Sequence, residues 1–193
     1  MTFYNIIFGI LFLAAVKAMF LRIVQRDGPS FLEAATLCLL VFSDVIFTSH
    51  MIEELKKPYK VWMKMTDLFS FLLLTGAVLA TDPSKDNLLE IDVGTLLPLV
   101  YREPVFWLLV AVYMFFLCLW NAQCGTYKDF LKKHDKHLLI QPGMVVLFAL
   151  MCAASFTPES DFTRLFRLAT FLLTAAYLLG HKTWLMDYVG GGR

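Results

Sequence analysis

The chain has 193 residues, of which 59% are apolar and 17% are charged, and its formal net charge is +1. Soluble domains contain about half apolar and about a quarter charged residues, so this composition, with its long apolar runs, excludes an ordinary soluble domain. The few basic residues form no stripe interleaved with aromatic ones, which excludes a nucleic-acid-binding surface.

Six stretches are long and apolar enough, or nearly so, to form membrane-spanning helices, which need about 20 residues each. In chain order they cover residues 4–23, 31–50, 61–80, 104–120, 138–156 and 162–185. The fifth is the least regular, because Pro142 suits the first position of a shorter helix. We therefore predict an all-α integral membrane protein, a bundle of about six transmembrane helices, with five as the alternative. A single transmembrane domain covers residues 1–189, and residues 190–193 resemble a linker or tag remnant.

The loops between these segments differ in charge. The acidic connection from residue 81 to residue 103 begins with Asp82, which suits a helix N-cap, and Pro83, which suits the first helical position. Its apolar spacing predicts a helix lying in the outer membrane interface. The loops after the second and fourth segments are instead rich in lysine, and they include Lys56, Lys57, Lys60, Lys132, Lys133 and Lys136.

These lysines predict the orientation of the chain. Cytoplasmic loops carry an excess of Lys and Arg, so an even number of helices places both termini in the cytoplasm. The membrane would be a plasma membrane or a bacterial inner membrane. Four arginines at the other end favour the reverse orientation but are outnumbered: Arg22, Arg26, Arg164 and Arg167.

Two acidic residues interrupt the predicted spans, Asp44 in the second and Asp67 in the third. A charge at membrane depth costs about 2.5–3.5 kcal/mol on the insertion scale and is a functional hypothesis by default. A rise of about 1.5 Å per residue places both in the inner third of the bilayer. Two neighbouring carboxylates would share a proton or hold a cation, aided by the hydroxyls of Thr48 and Ser70. Alternatively, each aspartate only fixes helix packing.

Other residues predict contacts between helices. Lys17 and Glu33 are expected to form a structural ion pair in the outer half of the bilayer, with the Lys17 stem along apolar surface. Small residues four positions apart allow close helix approach and favour a homo-oligomer; the pairs are Ala14 and Ala18, Gly76 and Ala80, and Ala176 and Gly180. The first pair is similar to the alanine pattern by which substrate-binding subunits of vitamin importers meet a partner helix, although two residues identify no family.

No cofactor or metal is required by the sequence, with one alternative. His50 and His181 are predicted at similar depth on different helices, as a bis-histidine haem would need. The sequence contains no H-E-x-x-H, no G-x-S-x-G and no glycine-rich phosphate loop, so no enzyme activity is predicted.

The prolines fall at or near predicted helix ends, which disfavours the broken helices of alternating-access transporters. We therefore predict a non-enzymatic polytopic membrane subunit that acts as an oligomeric sensor, scaffold or pore. Its basic cytoplasmic face would bind a partner protein or anionic lipid, for example as the membrane half of a bacterial defence or signalling pair. The alternatives are a small proton- or cation-coupled carrier or channel that uses Asp44 and Asp67, and a haem protein.

Overall fold

The computed structural model of the chain describes residues 2–25, 28–54, 61–81, 99–123 and 140–180, and these parts are all-helical apart from a short turn. Their helices are α1 (Thr2–Gln25), α2 (Gly28–Glu54), α3 (Val61–Thr81), α4 (Leu99–Gln123), α5 (Ile140–Ala154) and α6 (Asp161–Gly180). The helix class and the six apolar segments of the prediction are thus found at nearly the expected positions.

Four of these helices are long and apolar enough to cross a membrane. The qualifying stretches are Ile6–Gln25 in α1, Lys64–Thr81 in α3, Tyr101–Ala122 in α4 and Asp161–Leu179 in α6. The apolar helix α5 has 15 residues, about 22 Å at 1.5 Å per residue, which is shorter than a hydrocarbon core of about 30 Å. A membrane helical bundle therefore agrees with the structure at the level of these four helices.

One predicted boundary is wrong. The fourth helix was expected to start at Pro104, but α4 starts at Leu99 and Pro104 lies inside it. The prediction stopped there because the preceding Arg102 and Glu103 are charged and proline usually begins a helix. The charge of Glu103 is compensated by Arg167 of α6, so it does not end the helix. Pro142 instead lies in the first turn of α5, where a proline is tolerated.

Helix α2 lies at the centre of the bundle, in contact with α1, α3, α4 and α6, while α4 packs between α3 and α5. The Arg22 side chain near the end of α1 donates a hydrogen bond to the carbonyl oxygen of Thr81 at the end of α3, at 2.7 Å. The ends of α1 and α3 therefore meet at one end of the bundle. Arg22 and Arg102 also interact electrostatically, which places the start of α4 there. We call this the arginine end, and the opposite end, nearer Asp44 and Asp67, the aspartate end.

The bundle is apolar on its surface as well as in its core. Buried Phe8, Leu37, Leu74 and Phe106 belong to one continuous core cluster. Large side chains that point outward include Leu13, Leu72, Leu108, Val146, Leu150, Leu165 and Leu172. A soluble bundle would carry polar residues at such positions, so this surface suits a lipid environment.

Candidate functional site

The predicted pair of aspartates lies between neighbouring helices near the aspartate end. Asp44 on α2 is 5% exposed, and Asp67 on α3 is partly buried. The two carboxylates are close enough to interact electrostatically. Ser70 and Thr66, on α3, are also buried, and the Thr66 hydroxyl donates to the carbonyl oxygen of Trp62 at 2.9 Å. This places two acidic groups and two hydroxyls in one region of the interior.

A chain of buried amides and a phenol joins three further helices beside this pair. The Asn121 amide nitrogen on α4 donates to the Gln141 side-chain oxygen on α5, at 3.0 Å. The Gln141 amide nitrogen in turn donates to the hydroxyl oxygen of Tyr177 on α6, at 2.6 Å. All three residues are at most 2% exposed. Tyr177 also interacts electrostatically with Asp44, so the amide chain and the aspartate pair form one polar region.

Within the described residues, this region contains a buried acceptor without a hydrogen-bond partner. The side-chain oxygen of Asn121 makes no hydrogen bond within the described part of the chain. A buried amide oxygen without a donor costs about 1–3 kcal/mol. Such a group is an acceptor that a water molecule or a proton-bearing group would satisfy.

A second polar region lies at the arginine end, around Arg167 of α6. Its guanidinium donates to one carboxylate oxygen of Glu103 on α4, from Nε at 2.9 Å and from Nη2 at 2.5 Å. Nη1 donates to Glu159, just before α6, at 3.2 Å. The buried carboxylate of Glu33 on α2 also acts electrostatically on this guanidinium. Because the Arg167 side chain is only 7% exposed, its charge depends on these carboxylates for compensation.

Helix α6 connects the two regions along one face, which we call the α6 polar face: Thr163, Arg167, Thr170, Thr174 and Tyr177. Every member is at most 6% exposed, whereas Phe162, Leu165 and Leu172 of the same helix point outward. The spacing of four, three, four and three residues is that of a single helix face. Polar residues that face inward and leucines that face outward are the reverse of a soluble amphipathic helix.

Sequence reasoning missed most of this interior. Arg167 was considered only for its effect on orientation, and Glu103, Asn121, Gln141 and Tyr177 were not considered as site residues. The polar periodicity of α6 was a usable signal for Arg167 and the threonines. No signal in the sequence identified the amide chain, because its members lie on three different helices.

The other predicted residues are placed as follows. Glu33 is buried and Lys17 is partly buried, on the adjacent helices α2 and α1. Ala14, Ala18 and Ala80 are buried, and Gly76 lies against the Leu109 side chain of α4. Ala176 is exposed.

Several predictions lie outside the described residues. These concern the interfacial helix expected within residues 82–98, residues 190–193, His181, and the lysines Lys56, Lys57, Lys60, Lys132, Lys133 and Lys136. The same holds for the side chains of Thr48 and His50 and for the environment of Gly180. Among the residues that are described, no group of three His, Cys, Asp or Glu side chains could hold a metal ion.

Comparison with known proteins gives no further guide. No family model matches the chain, and neither a curated protein nor a solved structure shows significant similarity to it.

Proposed function

We propose that this chain is a non-enzymatic membrane protein, a sensor or a pore, in which Asp44 and Asp67 share one proton or hold a small cation in its place. The observation that carries this proposal is the pair itself: one buried and one partly buried carboxylate on adjacent helices, within electrostatic range of each other. Two such carboxylates cannot both ionise without strong repulsion. A shared proton or a cation relieves that repulsion, and nearby Ser70 and Tyr177 supply hydroxyl groups.

Six membrane crossings with both termini in the cytoplasm are part of the proposal. One of the arginines that favoured the reverse orientation, Arg167, lies in a buried cluster with the carboxylates of Glu103 and Glu159, which compensate its charge. The lysine-rich loops after α2 and α4 outnumber the three arginines that remain. The short helix α5 would cross with local thinning of the bilayer or flanking polar residues at its ends.

The remaining roles are proposed on the same grounds as in the sequence. The lysines of the two cytoplasmic loops would bind a partner protein or anionic lipid, each contributing about 1 kcal/mol near an anionic surface. Small residues on the surface, such as Ala176, would permit self-association. An alternating-access carrier is less well supported, because Pro104 and Gly143 lie near the ends of their helices and not at midplane.

Infrared difference titration of the purified protein in detergent tests the shared site. The protonated carboxyl band should disappear in coupled steps in the wild type. In Asp44→Asn and in Asp67→Asn the remaining carboxyl should lose its proton at lower pH than the upper wild-type step, because its neighbour no longer repels it. The double variant should lose the band, whereas Asp161→Asn, which removes an exposed carboxylate, should leave both steps unchanged.

The same titration separates the two occupants. If a cation replaces the proton, sodium in place of choline should shift the wild-type steps to lower pH. If each single substitution leaves the other aspartate's midpoint where it was, the two residues act independently and the proposed function is wrong.

A further inference from the structure

Helices α3 and α4 are antiparallel, and two contacts fix their register. The Phe69 ring of α3 stacks on the Phe116 ring of α4 with 5.7 Å between the centroids, and a Cβ atom added at Gly76 of α3 would lie 3.0 Å from the Leu109 Cδ1 atom of α4. The two contacts are seven residues apart on each helix and follow in opposite directions. Continued by seven more residues, this register places Trp62 of α3 level with the last residue of α4.

The apolar stretches of the two helices end at one common level. The stretch of α3 that is apolar enough to cross a membrane begins at Lys64, and that of α4 ends at Ala122. In the register described above, Ala122 is level with residue 63, one position before Lys64. The stretch of α3 has 18 residues, about 27 Å at 1.5 Å per residue, close to a hydrocarbon core of about 30 Å. Lys64 therefore lies at the boundary of the hydrocarbon core at the aspartate end, where the lipid headgroups begin.

The first turns of α3 expose an apolar strip, which we call the α3 outer strip. Its members, all exposed, are Val61, Met65, Leu68 and Leu72. Trp62, which is 74% exposed, lies on the edge of the strip next to α4, because it is on the same side of α3 as Phe69. At 3.6 residues per turn, the exposed Lys64 lies on the opposite edge. An indole and an ammonium group thus border the strip at the level of the headgroups.

Lys64 lacks a counter-charge within the described residues. Its side chain is exposed, and no ion pair joins it to any of them. By contrast, the guanidinium groups of Arg22, Arg164 and Arg167 are each held by hydrogen bonds within the chain. A lysine at the edge of the hydrocarbon core lays its apolar stem along the membrane surface and extends its ammonium to the headgroups. A lipid phosphate at that level supplies the missing negative charge.

We propose that the α3 outer strip binds a phospholipid of net negative charge in the leaflet at the aspartate end. Lys64 pairs with the phosphate, the Trp62 ring lies beside the headgroup and glycerol, and the acyl chains lie along the strip. Tryptophan suits this depth because its ring is apolar while its N–H is a donor. In a zwitterionic lipid the headgroup's own ammonium compensates the phosphate, so charge complementarity favours an anionic lipid. The site depends neither on the proposed proton or cation site nor on the lysine-rich loops.

A second copy of the chain is a poorer occupant of the strip. In a two-fold contact the same surface meets itself, so the contact would bring two Lys64 ammonium groups together. The exposed residues in this part of α3, at positions 61, 62, 64, 65, 68, 69 and 72, include no acidic side chain that could compensate them. An anionic headgroup provides that compensation directly.

Tryptophan quenching by brominated phospholipids tests the site. The full-length protein is reconstituted in vesicles of equal parts phosphatidylglycerol and phosphatidylcholine, with bromine on the acyl chains of one lipid or the other. The Trp62 signal is the difference between the protein and its Trp62→Phe variant, and the buried Trp107 and Trp120 contribute equally to both. Brominated phosphatidylglycerol should quench this signal more strongly, with a preference of about fivefold, the ratio that corresponds to one lysine near an anionic surface.

Substitutions at Lys64 decide what causes the preference. Lys64→Gln should abolish it, so that both brominated lipids quench equally, whereas Lys64→Arg should retain it. The matched control is Arg164→Gln, which removes an exposed basic side chain at the arginine end and should leave the preference unchanged.

Three results would overturn the proposal. Equal quenching by the two lipids in the wild type would show that the strip has no preference for negative charge. A preference that survives Lys64→Gln would assign the attraction to other basic residues, such as those of the preceding lysine-rich loop. Weak quenching by both lipids would show that protein, such as a second copy of the chain, covers the strip.

Discussion

Arg167 of α6 donates two hydrogen bonds to the same carboxylate oxygen of Glu103 of α4, at 2.9 Å and 2.5 Å. This contact joins α4 to α6 through two residues that are 64 positions apart in the chain. It lies beside Glu33 of the central helix α2, so it stabilises the arginine end of the bundle.

Loss of this guanidinium should destabilise the fold strongly. Removing one partner of a buried ion pair costs about 3–5 kcal/mol, because it leaves the other charge buried without compensation. Arg167→Met should therefore lower the free energy of unfolding by about that amount in mixed detergent micelles. The control is Arg164→Met on the same helix, whose side chain is 63% exposed and which should cost less than about 1 kcal/mol. Equal losses in the two variants would show that burial of Arg167 has no energetic consequence.

The buried amide chain should behave as a unit. Gln141→Leu removes the acceptor of Asn121 and the donor to Tyr177, and Tyr177→Phe removes the acceptor of Gln141. Each should cost about 1–3 kcal/mol because a buried polar partner is left unsatisfied. The double variant should cost less than the sum of the two, as measured by the free energy of unfolding. Tyr101→Phe, at an exposed position, serves as the control, and strict additivity would contradict a connected chain.

Two glycines within helices should respond differently to larger side chains. A Cβ atom added at Gly76 would lie 3.0 Å from the Leu109 Cδ1 atom, whereas one at Gly9 would meet nothing within 4 Å. Gly9→Ala should stabilise by up to about 1 kcal/mol through helix propensity. Gly76→Ile should destabilise by about 1–3 kcal/mol through overpacking against α4, and Leu109→Ala in the same chain should restore part of that loss. The thermal midpoints of the wild type, the two glycine variants and the double variant should be measured in the same detergent.

The contacts of Glu159 at the arginine end should make the stability of the fold depend on pH. A hydrogen bond from Arg164 lowers the pKa of this carboxyl group. A carboxyl whose pKa is lower in the folded chain stabilises the fold above its unfolded value of about 4.3 and loses that contribution as the pH falls through its folded pKa. Glu159→Gln should therefore flatten the fall of the thermal midpoint in acid, and Arg164→Gln should do so in part. If the thermal midpoint of both variants falls in acid as steeply as that of the wild type, the contact between Glu159 and Arg164 is not the cause of the pH dependence.

Single cysteines in a cysteine-free background test whether α5 crosses the membrane. Ala122 near the end of α4 and Thr157 after α5 are both exposed. If α5 crosses, an impermeant maleimide added to intact cells should label Cys at residue 157 and leave residue 122 protected until the cells are opened. If both residues are labelled from the same side, α5 does not cross the membrane, and the two termini lie on opposite sides of it.

The helical class and the approximate limits of the helices could be predicted from the amino-acid sequence. Apolar run length is a local property, and about 20 apolar residues form a helix in lipid whatever lies around them, because every backbone polar group must be bonded within the segment. The depth expected for Asp44 and Asp67 follows in the same way from the rise per residue. Their adjacency was a hypothesis only, since depth does not determine the rotation of either helix.

Packing between the helices determines which polar residues come into contact. The sequence did not identify the ion cluster of Arg167, because its carboxylate partners lie on α4 and before α6. Asn121 and Tyr177, the hydrogen-bond partners of Gln141, likewise lie on α4 and α6. Such contacts depend on the rotation and register of whole helices, which side-chain packing across the bundle sets and no local pattern encodes. The α6 polar face could be predicted in part. Its periodicity is visible in the sequence, but only the packing of α6 against α2 shows that this face points inward.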